Sequence, residues 1–206
     1  MSVESQFAYD LARFIDFRDR EACERARRIR REDLSRHPNP DFRIRIIDEP
    51  AAFYRAFAED IVTRIRQARD EGRQLVLILP VGPMPQYELA ARMINEERLS
   101  LAHVHTFNMD EYANEEGVTA PPSWPGSFQR AMRERFFSLI DPELRPPETQ
   151  IHFPTSDVLP DYSARLEDLG GADCCYGGIG WCGHVAFWES HLGHEVAGDL
   201  ETYKQA

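Results

Sequence analysis

The chain has 206 residues, 42% of them hydrophobic and 29% charged, a composition ordinary for a folded domain. Its net charge of −11 argues against general nucleic-acid binding. No apolar run approaches the ~20 residues needed to span a bilayer. The start, Met1-Ser2-Val3-Glu4-Ser5, lacks the basic region and apolar core of a secretory leader, so the expected location is cytoplasmic.

The charge is unevenly distributed. Residues 13–45 hold eleven arginines against seven carboxylates, so the acidity lies in the remainder. This basic stretch reads as a solvated helix face or a contact for a partner or second subunit. Cys23, Cys174, Cys175 and Cys182 form no CxxC pair and are expected to be reduced and buried.

Taken in order, residues 5–33 suggest a helical arm, with Phe7, Leu11 and Phe14 at helical spacing. His37-Pro38-Asn39-Pro40 breaks it. Phe42-Arg43-Ile44-Arg45-Ile46-Ile47 alternates as a half-exposed strand does. Asp48-Glu49-Pro50 opens a helix over about 51–70, with Phe53, Phe57, Ile61 and Ile65 on one face and Glu71-Gly72 at its end. Leu75 to Leu79 is an uninterrupted apolar run, as in a strand covered on both faces of a parallel sheet. The loop Pro80-Val81-Gly82-Pro83-Met84-Pro85 leads into a helix over 86–96, and a strand is expected at 102–107. A helix at 126–140, a short strand at 150–153, a helix at 160–169 and the end of a buried strand at 173–176 complete the series. Strands alternating with helices predict an α/β domain with a mostly parallel sheet. The expected organisation is an N-terminal helical arm over 1–40 and a partial α/β domain over 41–206.

In such sheets ligands bind beyond the carboxyl ends of the strands. Three loops lie there: 80–85, 108–112 and 177–184. The first joins a buried strand to a helix N-terminus, a place where backbone N–H groups hold phosphate, although its prolines contribute no N–H. The second, Asn108-Met109-Asp110-Glu111-Tyr112, carries two adjacent carboxylates. Neighbouring side chains diverge, so one carboxylate can face a pocket while the other makes a structural hydrogen bond. The third, Gly177-Gly178-Ile179-Gly180-Trp181-Cys182-Gly183-His184, turns on glycines into a histidine, with Glu189 five residues further on. A histidine with a carboxylate in reach is suited to acid/base work. Cys182, His184, His191 and His194 are chemically suited to zinc, but their spacings match no established zinc pattern, and no metal is expected.

Thr106-Phe107-Asn108-Met109-Asp110-Glu111-Tyr112, followed about seventy residues later by Gly178-Ile179-Gly180-Trp181-Cys182-Gly183-His184-Val185-Ala186-Phe187-Trp188-Glu189, resembles the glucosamine-6-phosphate deaminase (isomerase) family. The related 6-phosphogluconolactonases share the glycine-histidine loop but match less well. The resemblance covers roughly residues 42–190. It implies a Rossmann-like three-layer fold, incomplete at its C-terminal end, no cofactor, a small phosphorylated sugar as substrate, and self-association. It also implies an enzyme, placed in the hydrolase class, that converts glucosamine 6-phosphate to fructose 6-phosphate and ammonia. Within that resemblance Asp110 is the base moving a proton between C2 and C1, His184 opens the sugar ring, and Glu189 orients His184. Val81, Gly82, Pro83 and Met84 would hold the phosphate, with Glu111, Gly180 and Cys182 among the substrate-binding positions. The family usually has Asp where this chain has Cys182, and Pro-Thr-Gly-Gly-Thr-Pro where it has 80–85. It has Pro where Ser190 stands, and it continues past position 206 with basic residues for the phosphate. These departures make a catalytically weakened sugar-phosphate binder the alternative, with a lactonase-like hydrolase beside it.

Overall fold

The computed structural model describes residues 20–180, together with 184 and 186. They fall into two compact units, one spanning Ile47–Gly178 and the other the described parts of 1–46 and 179–206. The larger unit contains α2 (Pro50–Asp70), β1 (Leu75–Leu79), α3 (Pro85–Glu96), β2 (Val104–Asn108), α4 (Phe128–Arg135), β3 (Ile151–His152), α5 (Leu159–Asp168) and β4 (Cys174–Cys175). The smaller contains α1 (Arg20–Arg27).

The four strands form one sheet in the order β3-β2-β1-β4, all parallel. The register pairs Leu75 with Val104 and Leu79 with Asn108. On one face Leu75, Leu77, Leu79 and Val104 share a core with Ile61 and Ile65 of α2, Tyr87 and Ile94 of α3, and Met132 of α4. Ala58 and Ala68 on α2 and Ala90 and Ala91 on α3 are fully buried, and their small side chains let the helices sit close together. The opposite face carries Phe107, stacked on His152 at 4.2 Å and meeting Tyr162 of α5 edge-on at 5.3 Å. The larger unit is thus the expected three-layer α/β arrangement, with β1 inside the sheet and buried from both sides.

Several elements differ from their sequence reading. The arm helix, described from Arg20, ends at Arg27, and a short 3-10 turn occupies Arg31–Asp33. Five arginines within 25–31 put like charges three and four residues apart, which opposes a continuous helix. Residues 42–47 are irregular rather than a strand, with Phe42, Ile44 and Ile46 exposed. Alternation makes a strand only when a neighbour takes up its backbone groups, and among the described residues none pairs with this segment. The helix expected to reach 140 stops at Arg135, where Phe136 leaves the helical region (φ −132°, ψ −74°) and a 3-10 turn follows. Consecutive residues on a helix point about 100° apart. The break lets both Phe136 and Phe137 enter the core. β4 lies at the edge of the described sheet, so its residues are not a buried strand. Cys174 is half-buried and Cys175 exposed, against the expectation of buried thiols. Cys23, Cys174 and Cys175 are free thiols.

Candidate functional site

β1 ends at Leu79 and the chain turns through 80–84 into α3. Gly82 adopts φ 124°, a left-handed conformation that side chains disfavour, and the peptide bond to Pro83 is cis. Pro85 occupies the first turn of α3, and Val81, Gly82, Pro83 and Met84 are all half-buried. With Pro83 and Pro85 lacking N–H groups, the donors left before the helix are Val81, Gly82 and Met84. They sit at the positive end of a 12-residue helix, where an anion is stabilised.

β2 runs parallel to β1 and ends beside it, so its following residues, 109–112, lie next to the first loop. Met109 N donates to the Leu79 carbonyl at 3.0 Å, locking the two strand ends together. Gly177 and Gly178 follow β4 on the other side of β1. A methyl group placed on Gly177 would lie 3.6 Å from Met109 Cε, and one on Gly178 would lie 4.0 Å from the Gly82 carbonyl oxygen. The three chain segments therefore converge at the carboxyl end of the sheet, where the fold places ligands.

The adjacent acids are separated by their partners. Glu111 accepts hydrogen bonds from Ser127 Oγ (3.0 Å), Phe128 N (2.9 Å), Gln129 N (2.7 Å) and Tyr112 N (3.0 Å). Its carboxylate is thus committed to the start of α4, where it supports the loop. Asp110 is half-buried beside α3, and its charge acts on the Tyr87 hydroxyl.

Gly180 and His184 belong to the smaller unit. Gly180 N donates to the His184 carbonyl at 2.9 Å, and a side chain at position 180 would collide with the His184 imidazole. The glycine is there because the ring lies against its backbone, so its expected role in contacting substrate is joined by a packing role. Cys182 and Glu189, and the zinc candidates His191 and His194, lie outside the described residues. No cluster of three or more potential metal ligands occurs among the described residues.

Composition and spacing did not single out three further residues. The buried Tyr87 hydroxyl donates to the Pro80 carbonyl at 2.6 Å. Tyr162 Oη donates to the carbonyls of Asn108 (2.8 Å) and His152 (3.1 Å), tying the ends of β2 and β3 together. Asn108 is fully buried, and neither atom of its amide has a hydrogen-bond partner. Such a group costs about 1–3 kcal/mol, a kind of local cost carried more often at functional sites than elsewhere. For Tyr87 and Tyr162 the sequence offers only a tyrosine inside a helix, which reads equally well as core.

No family model matches the chain. It is 37% identical over 153 residues to a glucosamine-6-phosphate deaminase of Caenorhabditis elegans, covering 70% of this chain and 54% of that protein. It is 38% identical over 141 residues to the glucosamine-6-phosphate deaminase of Tolumonas auensis, covering 64% of this chain and 50% of that one. The chain thus spans about half the length of these curated relatives. Among solved structures, a monomeric glucosamine-6-phosphate deaminase of the NagB superfamily superposes with a TM-score of 0.54 at 27% identity, over 65% of this chain and 54% of that one. The 6-phosphogluconolactonase of Thermotoga maritima gives a TM-score of 0.52 at 23% identity, over 71% of this chain and 64% of that one, a likeness of fold alone. The motif-based resemblance and the Rossmann-like three-layer fold are both borne out.

Proposed function

We propose that this chain carries the site of an amino-sugar-phosphate deaminase/isomerase, acting on glucosamine 6-phosphate and water to yield fructose 6-phosphate and ammonia. The observation that carries the reading is the meeting of loop 80–84, Asp110 and Gly177-Gly178 at one end of the sheet, within a stretch similar to the deaminases. In this reading the N–H groups of Val81, Gly82 and Met84 and the start of α3 receive the phosphate. By the motif resemblance, Asp110 takes the proton from C2 of the opened sugar and returns it at C1, His184 opens the ring, Glu189 orients His184, and Cys182 is a substrate-binding position. The comparisons support an enzyme but not the hydrolase label, and the reaction is better described as an isomerisation coupled to loss of ammonia.

No helix among the described residues is long and apolar enough to cross a membrane. A cytoplasmic location is part of this proposal, supported by the free thiols of Cys23, Cys174 and Cys175. Self-association is the other part of the proposal, tested by sedimentation; the solved deaminase neighbour is itself monomeric. The arginine-rich arm, residues 1–40, is the proposed contact.

The test is production of ammonia and ketose from glucosamine 6-phosphate, with Asp110→Asn expected to lower the rate by about 10²–10⁴-fold, as removal of a general base does. Protein that forms neither product from any hexosamine phosphate overturns the catalytic reading. The three prolines at 80, 83 and 85 support the second reading, a weakened binder, since they leave few phosphate donors. That protein would bind glucosamine 6-phosphate saturably without turnover.

A further inference from the structure

The loop that leaves β1 is held at its first residue by a side chain from the helix it enters. Pro80 is the first residue beyond the strand, and Tyr87, in the first turn of α3, donates its hydroxyl to the Pro80 carbonyl at 2.6 Å. A second bond, Tyr87 N to the Met84 carbonyl at 3.0 Å, closes the other end of the same span. One residue therefore contacts both ends of the segment 80–84. The tyrosine ring is itself fixed: it is fully buried and packs on Phe136 with centroids 5.1 Å apart. Between the two bonds lie the three N–H groups available to a ligand, those of Val81, Gly82 and Met84, and among the described residues none has a hydrogen-bond acceptor.

A loop with three donors in place of a richer cradle depends on their arrangement more than on their number. Holding such groups in advance removes the ordering cost from binding. Deletion of the hydroxyl would leave Pro80's carbonyl without the partner its buried position requires. Burial above all, and the neighbouring Asp110 charge against the opposing Gln86 side chain, keep the phenol protonated at neutral pH, so the donor is present there.

We propose that Tyr87 is a positioning residue for loop 80–84, fixing the N–H groups of Val81, Gly82 and Met84 for the anionic end of a sugar phosphate. The inference rests on the reading that this loop receives the phosphate.

The experiment compares the 206-residue chain with Tyr87→Phe, which keeps the ring and its packing on Phe136 and removes only the donor. Two readouts are taken: calorimetric affinity for glucosamine 6-phosphate, and backbone amide exchange without ligand. The expected result is affinity weakened on the order of 3- to 10-fold, the worth of one buried hydrogen bond. With it goes faster exchange at the Tyr87 amide, whose bond to the Met84 carbonyl closes the loop, but not at Leu77 in β1. If turnover is measurable, KM rises while kcat changes little. Wild-type binding with unaltered affinity in Tyr87→Phe overturns the positioning role alone. A wild type that binds no sugar phosphate overturns the ligand reading of the loop, and the positioning role with it. Faster exchange spread through β1 and α3 assigns Tyr87 to the core and likewise overturns the proposal.

Discussion

The Glu111 carboxylate accepts the N–H groups of Phe128 and Gln129, and Ser127 Oγ accepts that of Arg130. Three of the four donors left over at the start of α4 are thereby satisfied. The negative charge also faces the positive end of the helix. Glu111→Gln keeps the shape but turns an amide NH₂ toward groups that are themselves donors. The expected outcome is a loss of about 1–3 kcal/mol of stability by urea unfolding, close to that of Glu111→Ala. A stable variant with weakened sugar-phosphate affinity would instead return Glu111 to the binding group. By residue type and spacing alone, apart from the family resemblance, Asp110 and Glu111 are two adjacent acids of equal standing. That one would be structural was legible from the divergence of neighbouring side chains. Which one was not, because it depends on α4, which starts 17 residues later.

At the scale of elements, the strongest hydrophobic patterns carried over best. Leu75–Leu79 and the four-residue spacing of Ile61 and Ile65 became the strand and helix they resemble, because burial of a continuous apolar stripe dominates local energetics. Weak patterns failed where a neighbour decided the outcome, as at 42–47 and at the broken end of α4. The junction of β2 and β3 has a consequence for pH. His105 and His152 stack at 5.9 Å, and His152 also lies against Phe107. Burial, then the charges of His105 and Arg165, hold the His152 pKa at about 4 against an ordinary 6.5. Burial lowers that of His105 as well. The unfolded chain binds these protons more readily than the folded one. Stability is therefore complete above about pH 6.5 and is lost as pH falls toward 4. Urea unfolding at pH 7.5, 6 and 5 is expected to show falling midpoints, and His152→Gln to flatten that dependence. A dependence of equal slope in the variant would place the acid sensitivity elsewhere.

For the whole molecule, the continuous core lies within the unit Ile47–Gly178, where the central strand and its covering helices all reside. Residues 47–178 expressed alone are expected to unfold in a single cooperative transition, with coincident loss of far-ultraviolet and aromatic circular dichroism. Non-coincident curves would mean that the unit needs residues from outside it. This boundary differs from the one read at 40/41, where His37-Pro38-Asn39-Pro40 punctuates the chain. Prolines mark where a regular element stops, but a compact unit begins where contacts become dense, and in this chain that is at the approach to α2.

The sequence by itself determined the α/β layering, the parallel central strand and the positions of the loops at 80–85 and 108–112. All of these follow from local periodicity, from residue type, or from a motif whose members are close along the chain. Only the tertiary structure decided that Glu111 supports α4, that Gly180 makes room for the His184 ring, and that Tyr87 grips Pro80. Each of these depends on a contact whose geometry the backbone sets in three dimensions: a carboxylate across 17 residues, a ring laid on a glycine, and a hydroxyl aimed back along its own loop. Periodicity reports which side of an element is apolar, and it carries no information about which polar atom meets which.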